Sequence, residues 1–351
     1  MICARLDKAL TELTAHYEQV YVVGDKNIRS SAICCELSDR WPSLWIEASE
    51  EKKCLEKVQT IWDFLFAHNC TRRGLLVCIG GGVLTDLAGF AASTYKRGID
   101  FITVPTTLLA MVDASNGGKT GINYHGLKNS IGVFAHPVET LIQPGWLKTL
   151  PAREFLSGFA EMLKTGLVAE PTVGGEATEN LWNKLQNYDL ERMDIEALTP
   201  LIKECVEAKK RIVDLDPAEE GLRKVLNFGH TFGHAIEEMQ SLHRSSADHP
   251  IPHGFAVLYG MIAELYLSIT KLGCTQEPLQ HLTQMMIHIY GRPECKCSDR
   301  QQLIALMQQD KKNERTAEIN CTLLRDIGQP VINQVITPAD ANEALDYLFS
   351  L

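Results

Sequence analysis

The pattern of hydrophobic and polar residues changes near residue 150. Before that point, candidate strands stand at residues 20–23, 45–46, 75–79 and 99–104, and the one at 75–79 is apolar throughout. Continuous apolar runs of strand length are typical of strands buried on both faces, as in a parallel sheet. Apolar residues recur at helical spacing between them, over residues 50–67 and 83–92. Strands that alternate with helices predict an open α/β sheet.

After residue 150 the apolar residues recur at helical spacing almost throughout. The spacing predicts helices over residues 154–167, 181–185, 195–215, 225–239, 255–272, 279–289 and 303–307. A short run at 319–324 is a candidate strand. An α/β half followed by a helical half predicts two domains, 1–152 and 153–351, with a ligand cleft between them.

Charge and composition restrict the classes of function. The 351 residues carry a formal net charge of -10, which argues against nucleic-acid binding through a general basic surface. A small anionic ligand needs only a local cluster of Lys and Arg. The N-terminus lacks the apolar core of a signal peptide, and the long apolar stretch 255–272 contains Glu264 and Lys271, so we expect a buried helix, no membrane span and a cytoplasmic protein. The scattered cysteines lack CxxC spacing and are expected to be reduced structural thiols.

Glycines follow the strand predicted at 75–79. Gly80, Gly81 and Gly82 lead directly into a helix, a layout that brings backbone N–H groups and a helix N-terminus to a phosphate. Thr85 holds the last position of the G-x-G-x-x-G pattern, so a tight turn without a ligand stays an alternative. A second glycine-rich stretch, 117–121, is expected to be a loop that presents Lys119 to an anionic or polyhydroxylated ligand or simply to solvent.

Two histidines four residues apart, His230 and His234, mark the helical half. On a helix this spacing places both imidazoles on one face. Gly229 and Gly233 lie among them, and glycine inside a helix indicates that the backbone comes close to another group. One interpretation is a helix cap with two core histidines. The other is a metal site of the His₂Glu type, with His230 and two residues from elsewhere in this half, Glu161 and His253, and with His234 left for proton transfer.

Eight short motifs along the chain resemble those of a known family. The segments that carry the resemblance are GGGVLTD at 80–86, YKRG at 95–98, VPTTLLAMVD at 104–113, GGKTGIN at 117–123, GLKN at 126–129, GFAE at 158–161, LNFGHTFGH at 226–234 and DKK at 310–312. Together, and in this order along nearly the whole chain, they resemble the 3-dehydroquinate synthases. Single motifs are shared with other sugar-phosphate cyclases, and the fold is shared with iron-dependent and glycerol dehydrogenases.

The resemblance implies a reaction and its cofactors. The family converts 3-deoxy-D-arabino-heptulosonate 7-phosphate into 3-dehydroquinate and phosphate in the shikimate pathway. NAD is reduced and reoxidised within each turnover, and a divalent metal is required, for which zinc is the first expectation and cobalt the second. The implied partner is therefore a small anionic sugar phosphate, and the implied assembly is a homodimer.

The resemblance also assigns roles to residues of this chain. The implied metal ligands are Glu161, His230 and His253. The implied catalytic residues are Lys164, Lys209, Arg223, Asn227 and His234. Further implied substrate contacts are Arg97, Asp113, Lys119, Asn129, Lys311 and Lys312. The implied NAD contacts are Asp25, Glu50, Lys53, Gly81, Gly82, Val83, Asp86, Thr106, Thr107, Lys119 and Lys128.

The chain departs from the family pattern at several places. Phe255 stands where a Glu usually follows His-Gly, and the long segment 241–252 contains His243 and His249 as rival metal donors. Ala48-Ser49-Glu50 replaces a Pro-Gly-Glu turn, and Asn116 replaces a small apolar residue. Other functions therefore stay open: a related sugar-phosphate cyclase, a metal-dependent polyol dehydrogenase with net NADH formation, and a non-catalytic binding protein.

Overall fold

The computed structural model describes residues 1–125, 127–169, 180–242, 250–295, 297–309 and 318–351. The chain forms two compact units, Met1–Pro151 and Ala152–Leu351, which are called unit 1 and unit 2 below.

Unit 1 is built on a five-stranded parallel sheet. Its strands are β1 (Val20–Asp25), β2 (Ser43–Ile46), β3 (Leu75–Gly80), β4 (Asp100–Pro105) and β7 (Glu139–Thr140), in the spatial order β2-β1-β3-β4-β7. Its helices are α1 (Leu6–Thr14), α2 (Ala32–Arg40), α3 (Leu55–Ala67), α4 (Gly82–Thr94) and α5 (Leu108–Val112).

Two apolar layers explain the continuous apolar runs of this sheet. On β3, Leu76 and Cys78 point into one cluster, with residues of α3 and α4. The alternate residues Leu75, Val77 and Ile79 point into the other cluster, with residues of α1 and α2. Because both faces of the strand are covered, no polar position interrupts it. The predicted α/β architecture of this half is confirmed.

Two sequence predictions about unit 1 were wrong in detail. The glycine-rich stretch predicted as a loop forms an antiparallel hairpin of β5 (Lys119–Tyr124) and β6 (Leu127–Phe134). The helix predicted over 50–67 divides into a 3₁₀ turn, Glu50–Lys52, and α3. The hairpin was missed because β6 is exposed along its whole length, so no buried face shows in its sequence pattern.

Unit 2 is largely helical. Its helices are α6 (Ala152–Val168), α7 (Leu181–Gln186), α8 (Ile195–Leu215), α9 (His230–Leu242), α10 (His253–Leu272), α11 (Glu277–Met285), α12 (Arg300–Gln308) and α13 (Pro338–Ser350). A hairpin of β8 (Ile319–Leu324) and β9 (Pro330–Ile336) completes the described part. By length and composition α10 would be able to cross a membrane, but 72% of its apolar window is buried, as in the core helix of a globular protein.

The helix predicted over 225–239 is interrupted before the histidines. A 3₁₀ segment covers Leu222–Asn227, Gly229 adopts a φ of +79°, and α9 begins at His230. A side chain at 229 would be strained at this φ and would also meet Met261 Cγ at 2.5 Å and the Val257 carbonyl oxygen at 2.9 Å. Two further elements, β9 and α13, were not predicted from the sequence. The Thr337–Asp340 capping box with Pro338 in the first turn is a local signal for α13.

Candidate functional site

The candidate metal ligands of unit 2 come together although they lie far apart in the sequence. Glu161 lies on α6, His230 is the first residue of α9, and His253 is the first residue of α10. One ligand atom from each residue lies within 4.8 Å of the other two. The His253 Nε2 atom is 3.5 Å and the His230 Nε2 atom is 3.9 Å from Glu161 Oε1.

Glycines let the three helices approach closely enough to form this cluster. A Cβ atom on Gly260 would lie 1.8 Å from the Gly229 carbonyl oxygen, and one on Gly254 would lie 1.9 Å from the Ser157 carbonyl oxygen. A Cβ atom on Gly233 would lie 2.9 Å from the Ala256 carbonyl oxygen. The backbone approach expected from glycine inside the helix is therefore between α9 and α10.

The two histidines are oriented by acceptors on their Nδ1 side. His230 Nδ1 lies 3.1 Å from the Phe228 carbonyl oxygen, and His253 Nδ1 lies 3.3 Å from Glu237 Oε2. A carbonyl oxygen and an ionised carboxylate only accept, so each Nδ1 carries the proton. In the neutral imidazoles this leaves the Nε2 lone pairs on the side of Glu161.

The donor set fits a divalent metal ion. Glu161 is fully buried, and among the described residues neither of its carboxylate oxygens has a partner with hydrogen-bond geometry. Its charge is met by the Lys164 ammonium group, which contacts Oε2 and is 1% exposed. Two ligands of a tetrahedral zinc ion lie about 3.4 Å apart, so the nitrogen–oxygen distances here need only a small adjustment.

His234 lies beside this cluster. Its ring centroid is 5.2 Å from that of His230 and 6.0 Å from that of His253. Phe255, the departure from the family pattern next to His253, has its ring against Tyr290 at 4.8 Å and under the Arg153 guanidinium group at 5.7 Å. The aromatic side chain is therefore part of the local packing.

The other candidate residues of unit 2 precede α9 or lie on α8. Arg223 and Asn227 belong to the 3₁₀ segment before α9, and Lys209 lies on α8; Arg223 and Lys209 are buried. The Arg223 Nη1 atom donates to the Pro217 carbonyl oxygen at 2.8 Å, and Asn227 Nδ2 donates to Glu219 at 3.0 Å. Lys311, Lys312, His243 and His249 lie outside the described residues.

In unit 1 the carboxyl ends of β1, β3 and β4 meet at one edge of the sheet. The registers place Gly24 beside Ile79 and Gly80 beside Pro105. Asp25 therefore lies at the same edge as Gly81, which precedes α4, and as Thr106. Gly82 and Val83 begin α4, and the Thr107 side chain accepts from Ala110 N at the start of α5. This edge presents backbone N–H groups at a helix N-terminus, as the glycine pattern predicts.

A buried lysine organises the side chains beside this edge. Lys53 Nζ donates to Asp86 Oδ2 and to Asn129 Oδ1, both at 2.5 Å. Asn123 ties the β5–β6 hairpin to the turn at 50–53, because its Nδ2 donates to Glu50 Oε1 at 2.7 Å. The hairpin carries Lys119 and Lys128, both exposed. Burial raises the pKa of the Asp25 carboxyl group.

Two of the candidate residues of unit 1 lie at the ends of helices. Arg97 follows α4 with a φ of +69°, and Asp113 follows α5 directly. Asn116, another departure from the family pattern, donates from Nδ2 to the Met111 carbonyl oxygen at 2.6 Å and so fixes the turn after α5.

Three carboxylates next to the candidate site were missed in the sequence. Glu219 contacts Asn227, and Glu237 contacts His253. Glu264, fully buried on α10, accepts from the backbone N–H groups of Gly229 at 2.7 Å and Thr231 at 3.2 Å. Glu237 has a sequence signal, because it continues the helical spacing of His230 and His234. For Glu264 the only signal in the sequence is that it is a charged residue within an apolar helix.

Comparisons with known proteins agree with the sequence resemblance. The family profile described as 3-dehydroquinate synthase N-terminal matches residues 43–157, and the C-terminal one matches residues 158–313. A 3-dehydroquinate synthase of Parabacteroides distasonis is 39% identical over 355 aligned residues, which cover 99% of this chain and 96% of the relative. One of Crocosphaera subtropica is 38% identical, with 82% of this chain and 76% of the relative covered.

Solved structures give the same fold. A 2-epi-5-epi-valiolone synthase from Streptomyces hygroscopicus, with NAD⁺ and Zn²⁺ bound, has a TM-score of 0.83 and 28% identity, covering 100% of this chain and 96% of that chain. A 2-deoxy-scyllo-inosose synthase complexed with carbaglucose-6-phosphate, NAD⁺ and Co²⁺ has a TM-score of 0.84 at 21% identity, covering 98% of this chain and 95% of that chain. The second likeness concerns the fold alone.

Proposed function

Because this chain belongs to the 3-dehydroquinate synthase family, we propose that it converts 3-deoxy-D-arabino-heptulosonate 7-phosphate into 3-dehydroquinate and phosphate. The observation that carries the proposal is the cluster of Glu161, His230 and His253, with both Nε2 atoms on the side of one buried carboxylate oxygen. A lyase of this kind uses NAD to oxidise a ring hydroxyl group transiently, which acidifies the neighbouring C–H bond and permits loss of phosphate.

Unit 2 is proposed to hold the metal and the substrate. Glu161, His230 and His253 would hold a divalent ion, zinc first, and cobalt is the second candidate. When bound, such an ion polarises a hydroxyl or carbonyl oxygen. Lys164, Lys209 and Arg223 are cationic groups inside a chain whose net charge is -10, and they suit the phosphate and carboxylate of the substrate.

Two further residues, Asn227 and His234, complete the described part of the proposed substrate site. Asn227 offers an amide to the sugar hydroxyl groups, while its contact with Glu219 fixes its orientation. His234 lies beside the proposed ligands and is assigned proton transfer at an imidazole nitrogen, a role for which histidine is the most frequent side chain. Lys311 and Lys312 are assigned to the substrate by the resemblance alone.

Unit 1 is proposed to hold NAD. Gly81, Gly82 and Val83 would bring the N-terminus of α4 to the pyrophosphate, and Asp25, at the same edge, would accept from a ribose hydroxyl group. Lys53 would act by holding Asp86 and Asn129 in place. The remaining contacts proposed for NAD and substrate from the resemblance are Glu50, Arg97, Thr106, Thr107, Asp113, Lys119 and Lys128. A homodimer is proposed on the same ground, and a cytoplasmic location is proposed because the cysteines in the described part of the chain are free thiols.

An assay of phosphate release tests the function directly. Protein stripped of metal and reconstituted with zinc and NAD is expected to release one phosphate per heptulosonate phosphate consumed, without accumulation of NADH. His230→Ala is expected to lose both zinc and turnover, whereas His288→Ala, at an exposed position on the segment after α11, keeps both.

The same assay separates the alternatives. Net NADH formation without phosphate release would indicate a polyol dehydrogenase. Phosphate release from a sugar phosphate without a carboxylate, but none from the heptulosonate phosphate, would indicate a related cyclase. If His230→Ala keeps both zinc and turnover, the assignment of the metal site is wrong, whereas the proposed reaction still stands.

A further inference from the structure

His253 lies between two carboxylates on opposite sides of its ring. Its Nε2 atom is 3.5 Å from Glu161 Oε1, and its Nδ1 atom is 3.3 Å from Glu237 Oε2. Glu237 lies on α9, two helical turns after His230 and three residues after His234. One face of α9 therefore carries a proposed metal ligand, the histidine assigned to proton transfer and this carboxylate.

Glu237 is not placed to act as a ligand itself. The atoms that form the candidate metal cluster come from Glu161, His230 and His253, and Glu237 contacts the ring nitrogen of His253 that points away from Glu161. Its side chain is 12% exposed, compared with 32% for His253, so its carboxylate is the more sheltered partner of this contact.

The two proposed histidine ligands differ in what fixes their protonated nitrogen. For His230 the acceptor is a backbone carbonyl oxygen, which the fold itself supplies. For His253 the acceptor is a side chain, Glu237. A neutral imidazole has one N–H group, and a proton on Nε2 would remove the lone pair that a metal needs. An anionic hydrogen-bond acceptor at Nδ1 keeps the proton on that nitrogen and makes Nε2 a stronger metal ligand.

We propose that Glu237 is a positioning residue for the metal centre, which holds His253 in the ligand tautomer and orientation. This inference rests on the proposed function, because it takes His253 to be a metal ligand. Glu237 touches neither substrate nor metal in this role and acts only through His253.

Zinc affinity measured by competition with a chromophoric chelator tests the role. Glu237→Gln keeps the size and one acceptor oxygen but loses the charge, and Glu237→Ala loses the acceptor altogether. Both are expected to bind zinc about 10–100-fold more weakly than wild type. Glu238→Gln is the matched control, because it removes the same charge from the next, exposed position of α9 and is expected to change affinity less than twofold.

Two further measurements distinguish positioning from a merely structural role. The absorption spectrum of the cobalt-substituted protein is expected to change in Glu237→Gln and to stay as in wild type in Glu238→Gln, because the spectrum reports the ligand geometry. The melting temperature of the metal-free Glu237→Gln protein is expected to equal that of wild type.

The outcomes separate this inference from the proposed function. Wild-type protein that binds no zinc would overturn the metal site itself. Wild-type protein that binds zinc no more tightly than Glu237→Gln, with an unchanged cobalt spectrum in the variant, would overturn the positioning role alone. If zinc affinity falls only in Glu237→Ala, together with a lower melting temperature of the metal-free protein, the side chain has a packing role and the inference is wrong.

Discussion

Unit 1 and unit 2 build their candidate sites in opposite ways. In unit 1 Asp25, Gly81 and Thr106 stand at the carboxyl ends of parallel strands, where the start of α4 presents backbone N–H groups. In unit 2 they are side chains of packed helices, and Glu161 and Lys164 are almost completely buried. A sheet edge gathers its residues through topology, whereas a helical site depends on how closely the helices approach one another.

The glycines of the two units show the same contrast. In unit 1 a Cβ atom on Gly81 would meet only the Thr107 side chain, at 3.2 Å, so a small shift of that side chain would relieve the contact. In unit 2 Cβ atoms on Gly254 and Gly260 would overlap with the backbone of a neighbouring helix. The same residue type therefore avoids a side-chain contact in one unit and permits close approach of the backbone of another segment in the other.

The largest effect is expected from removing Lys164, the buried lysine of unit 2 that contacts Glu161. Lys164→Met leaves the Glu161 charge buried without its ion-pair partner, and the free energy of unfolding of the metal-free protein is expected to fall by about 3–5 kcal/mol. The corresponding change in unit 1, Lys53→Met, is expected to cost only about 1 kcal/mol, because Asp86 is 20% exposed and keeps contact with water. Urea unfolding followed by far-UV circular dichroism measures both.

Zinc provides the internal control for this comparison. An ion held by Glu161 replaces the lost charge partner, so zinc is expected to reduce the deficit of Lys164→Met and to leave that of Lys53→Met unchanged. Equal losses in the two variants, or a deficit in Lys164→Met that zinc does not alter, would show that burial of the charge pair does not distinguish the units.

The same difference explains what the sequence alone predicts. The strands β1, β3 and β4 and the helix after Gly80–Gly82 are local patterns, and each was predicted to within about two residues. The hairpin carrying Lys119 and Asn129 was not, because its strands pair with each other and bury no continuous apolar face. The local sequence pattern is therefore sufficient to predict a strand or helix only where neighbouring elements bury it.

In unit 2 the resemblance indicated which residues would meet, but the local sequence did not indicate how. In the structure α9 begins at His230 and α10 begins at His253, whereas the apolar spacing predicts that these helices begin at 225 and 255. Glu237 and Glu264 contact the site from 16 and 33–35 residues away. Such contacts follow from the packing of α9 against α10; the spacing within α9 places Glu237 on the face of His230 and His234 but does not indicate its contact with His253.

Replacing a glycine by alanine in each unit tests whether close helix packing depends on glycine in unit 2 but not in unit 1. Gly260→Ala is expected to lose about 1–3 kcal/mol of stability and to weaken zinc binding, because α10 must move away from Gly229 next to His230. Gly81→Ala is expected to fold with nearly wild-type stability but to bind NAD more weakly. Thermal unfolding and titration with NAD and zinc measure the four effects.

Gly145→Ala is the control for this pair. An added Cβ atom there would come no closer than 3.9 Å to the Gln143 side chain. We expect its stability and both affinities to match wild type. If Gly81→Ala unfolds as readily as Gly260→Ala, the nucleotide-side glycine has a packing role and the contrast between the units fails.

The smallest effects are expected from two aspartates whose pKa values move in opposite directions. In unit 2 the Asp216 carboxylate accepts from the backbone N–H groups of Arg223, Gly221 and Glu220, and these bonds, that from Arg223 first, lower its pKa. In unit 1 burial raises the pKa of Asp25. A lowered pKa means that Asp216 stabilises the fold above its unfolded-state pKa of about 4, and that this stability is lost as the pH falls through the folded-state value. A raised pKa means that ionised Asp25 destabilises the fold, and that this penalty disappears at low pH.

Replacement by asparagine is therefore expected to shift the melting temperature in opposite directions. At pH 7 Asp216→Asn melts below wild type, and Asp25→Asn, which keeps an acceptor for Asn27 N, melts above it. The Asp25→Asn difference is expected to shrink as the pH is lowered toward 4, whereas the Asp216→Asn difference is expected to shrink only below about pH 4. Asp214→Asn, at an exposed position two residues before Asp216, is expected to change little at either pH. Melting curves that move in the same direction for Asp25→Asn and Asp216→Asn would show that backbone hydrogen bonds and burial do not set these two carboxylates apart.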